Sequence, residues 1–118
     1  MPDPVEKSDF YPVKANTPVT LSIKIGEGQV GGTDVSFDGA SLGSGAITNL
    51  PVGTAGQDLK NKSVDCLTTV RRQNASSGKT SVTYTLKGGV QDQDFTYDDA
   101  TLSQMGDRVV YDVSFVFS

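Results

Sequence analysis

The chain has 118 residues, 36% of them apolar, with a formal net charge of −4 and a pI near 4.5. That length suggests one domain, large enough to bury a core without metal or disulfide staples. The lack of histidine removes Ser-His-Asp and Cys-His catalysis, imidazole bases and His-ligated zinc, while the acidic balance argues against a general nucleic-acid or anionic-membrane surface.

Residues 1–9 are polar and carry Pro2 and Pro4, so a flexible N-terminal arm is expected there. The remainder, residues 10–118, is expected to be a single β-sandwich domain. The first residues lack a basic-then-apolar signal pattern, and no apolar run reaches the ~20 residues of a membrane span. No signal peptide or membrane insertion is therefore expected within this chain. Removal of a signal, and the compartment itself, stay open.

Phe10-Tyr11-Pro12-Val13 is the first apolar cluster and suits a sheet edge, where proline is tolerated. Val19, Leu21, Ile23 and Ile25 then alternate with Thr20, Ser22 and Lys24, the period of a half-buried strand. Gly26-Glu27-Gly28-Gln29-Val30-Gly31-Gly32 follows as a literal G-x-G-x-x-G. A dinucleotide fingerprint needs a helix next, whose free N–H groups hold the pyrophosphate. Thr33–Phe37 alternates as a strand instead, so the glycines are read as a turn. On this reading residues 33–37 pair with residues 19–25.

Asp38-Gly39 is a type I′ hairpin signal and predicts a second strand near Ala40–Ser44. Residues 49–62 look irregular, with Leu50, Val52 and Leu59 as inward plugs. Val64, Cys66, Thr68 and Val70 form one face of the next strand, which puts Leu67 on the other. Cys66 has no partner for an internal disulfide and reads as a small core residue. Arg71-Arg72 reads as a solvated strand end. A turn over Gln73–Lys79 leads to Val82, Tyr84 and Leu86, which suggests a hairpin with residues 64–70.

Phe95 and Tyr97 fit a short strand in an acidic stretch. Ser103–Asp107 is a turn, and Arg108–Phe117 is the longest strand candidate. Six to eight short strands with little or no helix predict an all-β, antiparallel sandwich, immunoglobulin-like or Greek-key.

Several motifs carry chemistry only on paper. Gly78-Lys79-Thr80 lacks the leading glycine of a P-loop, and Ser76-Ser77-Gly78-Lys79 places S-x-x-K in an exposed turn. Asn61-Lys62-Ser63 and Asn74-Ala75-Ser76 are glycosylation sequons in loops. Asp92, Asp94, Asp98 and Asp99 are calcium candidates if one loop gathers their oxygens, although the EF-hand spacing fails at Tyr97 and Ser103. No catalytic residue and no cofactor site is expected.

By exclusion, the expectation is a non-enzymatic interaction or structural module acting through loops or a sheet edge. The loop candidates are Gly26, Glu27, Gly28 and Gln29, with Asn74, Ser76 and Lys79. The partner would be another protein or a second copy of the chain. The alternative is a carbohydrate- or small-ligand-binding domain, calcium-assisted, in which the aromatic platforms come from tyrosine and phenylalanine because tryptophan is absent.

Overall fold

The computed structural model describes residues 3–54 and 59–118, which hold nine strands and no helix. The strands are β1 (Val5–Tyr11), β2 (Pro18–Ile25), β3 (Val30–Phe37), β4 (Ala40–Gly45) and β5 (Leu50–Thr54). They continue as β6 (Ser63–Arg71), β7 (Val82–Lys87), β8 (Gln93–Tyr97) and β9 (Arg108–Phe117). Two sheets form a β-sandwich. One has the order β1-β9-β6-β3-β4 and the other β5-β2-β7-β8.

Period-two alternation places the core. In β9, Val109, Tyr111, Val113, Phe115 and Phe117 are all fully buried. Val64, Cys66, Thr68 and Val70 of β6 lie beside them, and Leu67 faces outward at 45% exposure with no bulge in the β6–β9 register. The facing sheet supplies Val19, Leu21, Val82, Tyr84 and Leu86. The Phe115 ring meets Tyr84 and Phe95 at centroid distances of 5.5 and 4.9 Å, where aromatic edges and faces attract. Leu59 and Val52 are buried and Leu50 half-buried, as plugs should be.

Buried hydroxyls tie the two layers together. Thr33 and Thr68 hydroxyls lie 2.8 Å apart on neighbouring strands, and Thr68 lies 2.7 Å from the Tyr84 hydroxyl of the opposite sheet. Each hydroxyl in such a chain can both donate and accept, so none is stranded in an apolar core.

The pairing departs from expectation in three ways. Residues 5–9, expected in a loose arm, form β1 and pair in parallel with β9 from Val5↔Tyr111 to Tyr11↔Phe117. The sandwich therefore has one parallel pair and nine strands, beyond the expected six to eight. Residues 33–37 do not pair with residues 19–25. β2 pairs with β5 and β7, whereas β3 pairs with β4 and β6 in the other sheet. Gly26–Gln29 is thus part of an inter-sheet crossover. Likewise β6 and β7 lie in different sheets, so residues 64–70 and 80–86 are not a hairpin.

The two wrong pairings share one reason, whereas β1 escaped notice because Glu6, Lys7, Ser8 and Asp9 are polar. Alternation reports which side chains are buried but not which strand lies alongside. Where a turn specifies pairing, the expectation holds: Asp38 and Gly39 have φ of 51° and 83°, and β3 and β4 are a hairpin. Among the described residues no helix is long and apolar enough to cross a membrane.

Candidate functional site

The two loop segments singled out by sequence come together at one end of the sandwich. Gln29 joins them, but as a buried strut. Its Nε2 donates to the carbonyls of Ser77 and Lys79 at 2.9 and 2.8 Å. Its Oε1 accepts from the N–H groups of Gln73 and Asn74 at 2.8 and 3.0 Å. With 6% exposure and all four bonds made inside the chain, Gln29 is not a free recognition residue.

Asn74 is half-buried and also internal. Its Nδ2 donates to the Glu27 carbonyl and its Oδ1 accepts from Ser76 N–H. Arg72 is no solvated strand end. It donates to the carbonyls of Asn74, Ala75, Leu102 and Ser103, fastening the 73–79 loop to the 101–107 turn. Glu27, Gly28, Ser76 and Lys79 remain exposed on this braced surface.

The acidic residues do not converge. Asp92 accepts from Gly88 N–H before β8. Asp94 points out of β8 and accepts from Thr85 on β7 at 2.5 Å. Asp98 and Asp99 follow β8, and Asp99 pairs with Lys7 at 3.0 Å. At about 3.3 Å per residue the strand sets Asp92 and Asp98 roughly 20 Å apart, far beyond one ion's reach. Among the described residues no group of three acidic or thiol side chains could hold a metal ion.

Near Asp99 the β1 and β8 edges are clasped together. The Tyr97 hydroxyl donates to the Asp9 carboxylate, beside the Lys7–Asp99 pair. Burial raises the Tyr97 phenol above its ordinary range, and the adjacent Asp9 carboxylate adds to the rise.

The opposite side of the sandwich is open. There β4 ends at Gly45 and the chain crosses through Ala46–Asn49 to begin β5. A cleft of about 250 Å³ lies between the sheets at this crossing, lined by Ile23, Ile25 and Ile47 and by the β3 and β4 residues Val30, Gly31, Gly32 and Gly45. Ile47 is buried, and Ile23, Ile25 and Val30 are half-buried. Gly31 is required at the cleft floor, since a Cβ there would sit 1.9 Å from the Thr69 carbonyl oxygen.

Sequence reading passed over this seam. Its isoleucines alternate like ordinary core residues, and only the strand order reveals that one side of the layer stops short. The one local sign is the glycine-rich end of β4, Gly43-Ser44-Gly45.

Compared with models of known families, with curated proteins and with solved structures, the chain matches none of them.

Proposed function

We propose that the chain is a non-enzymatic, immunoglobulin-like interaction module that pairs with a partner protein through the β4 side of its five-stranded sheet. Support comes from the four sheet edges. β1 carries Glu6, Lys7 and Asp9, β5 carries Pro51, and β8 carries Asp94 with Asp92 and Asp98 at its ends. Charges and proline block edge-to-edge pairing because a charged chain resists desolvation and proline offers no donor. β4 reads Ala-Ser-Leu-Gly-Ser-Gly, with neither charge nor proline, and its one interruption is a bulge at Leu42. An unprotected edge offers main-chain donors and acceptors to an incoming strand.

The test places lysines on that edge. Ser41 and Ser44 are exposed, so Ser41→Lys/Ser44→Lys leaves the core intact. The expected result is an unchanged unfolding midpoint and loss of a stoichiometric partner that the unaltered chain retrieves from its native source. A double variant that retains every partner of the unaltered chain overturns the proposal.

A further inference from the structure

Past the end of β4 the five-stranded sheet has a gap. β6 pairs with β3 along the whole of Val30–Phe37, but β4 pairs with it only from Thr33 to Phe37. Val30, Gly31 and Gly32 therefore have a neighbouring strand on one side alone. The facing strand also lacks a strand neighbour on one side at the same level. β7 accompanies β2 through Ile25, whereas β5 stops at Leu21. Beyond it, Ile23 N–H donates to the Ile47 carbonyl at 3.0 Å and Ser22 meets Asn49. The isoleucine-lined cleft opens between these two stretches, of which Val30–Gly32 has no strand on its outer side.

The charges around the gap have a definite sign. On the outer face of the sheet, Val30, Arg71 and Arg108 stand in one cross-strand row. The two arginines are directly opposite each other, which is unfavourable without a counter-charge, and neither has a carboxylate partner among the described residues. Lys24 is exposed on β2 between Ile23 and Ile25. The carboxylates nearest this end are Glu27, on the turn, and Asp107, which accepts from Ser103 and Gln104; Asp34 and Asp112 stand two outer-face rows further along the sheet. A locally cationic rim on a chain of net charge −4 selects an acidic ligand.

From these observations we infer that the seam binds an extended segment of a partner protein in which apolar and acidic residues alternate. Its main chain continues the line of β4 along Val30–Gly32. Because successive side chains of a strand point to opposite faces, one set enters the cleft among Ile23, Ile25 and Ile47. The other set lies on the outer face toward Arg71 and Arg108. This inference rests on the sheet-edge reading above and adds to it the position of the contact and the chemistry of the partner.

Three short synthetic peptides test it: alternating glutamate and valine, alternating lysine and valine, and the glutamate peptide with a central proline. The glutamate–valine peptide should bind, with affinity falling as salt rises, and the other two should not. Its binding should protect from hydrogen exchange those amides of Val30–Gly32 that point away from β6. Arg71→Ser/Arg108→Ser alters exposed residues only and should weaken binding about tenfold or more. Equal binding of glutamate and lysine peptides, or undiminished binding by the arginine variant, overturns the inference.

The native partner separates this inference from the broader reading. If that partner is lost from Ser41→Lys/Ser44→Lys but kept by the arginine variant, the seam is wrong and the edge stands. If neither variant loses it, both fail.

Discussion

Cys66 shows how position within a strand decides chemistry. The thiol lies at the centre of β6, fully buried between β3 and β9. Burial pushes its pKa up to about 12 from an ordinary 9.0, and the carboxylates of Asp65 and Asp112 add to the rise. A thiol held neutral is a poor nucleophile, so Cys66 serves as a small core residue. The same shift makes stability depend on pH. In the unfolded chain the thiol ionises near pH 9, while in the folded chain it stays protonated until about pH 12. The folded state therefore binds the extra proton in this window. Its advantage is complete below pH 9 and shrinks by about 1.4 kcal/mol per pH unit above it. Tyr84, raised by burial from 10.0, steepens the decline above pH 10. Urea midpoints measured from pH 8 to 11 should fall more shallowly for Cys66→Ala, whose lost packing is independent of pH. Equal slopes would show that the thiol does not contribute. Gln29 teaches the opposite lesson about legibility. A glutamine among glycines reads as exposed loop, and only the distant 73–79 segment folding over it makes it a strut.

At the scale of elements, the strands were legible and their neighbours were not. β2, β4, β6, β8 and β9 lie within a few residues of where alternation and turn chemistry put them. β1 was missed because Glu6, Lys7, Ser8 and Asp9 are polar, although Val5 and Tyr11 keep the period. Those polar residues suit an edge. Lys7 and Asp9 reach across to Asp99 and Tyr97, and the strand covers the flank of β9. Without β1, the ten-residue strand Arg108–Phe117 would itself be an edge, long and proline-free. Such an edge invites pairing between molecules. Deleting residues 1–9 should lower the unfolding midpoint and produce concentration-dependent association, measured by light scattering. A monodisperse truncated chain of unchanged stability would mean that β1 does not protect β9. The seam was illegible for a related reason: it arises where β4 and β5 stop, and a strand's partners end at points its own alternation does not mark.

For the molecule as a whole, the connections govern how it can fold. Among the described strands, β3–β4 and β7–β8 are the hairpins within one sheet, and the other consecutive strands lie in different sheets. The central pairing, β6 with β9, joins Ser63 to Val116 and Arg71 to Arg108, with the β7–β8 hairpin in the opposite sheet intervening in sequence. β1 must wait longer still, since its partner is the last strand of the chain. Closing such long loops costs entropy before any burial is gained, which places folding in the slow regime of non-local β proteins, on the order of milliseconds to seconds. The two hairpins can form early but bury little alone; the core requires β6, β9 and β2 to meet. Shortening the Asp38–Gly39 turn's advantage should therefore affect rate and stability differently from damage at the centre. Asp38→Val/Gly39→Val disfavours the positive φ of both turn residues and acts on a local pair. Val113→Ala empties space at the β6–β9 centre, at a cost of about 2–3 kcal/mol. If assembly of that centre limits folding, stopped-flow tyrosine fluorescence will show Val113→Ala slowing refolding, while the turn variant mainly speeds unfolding. The reverse partition would mean that the β3–β4 hairpin is the nucleus and that the long-range core follows it.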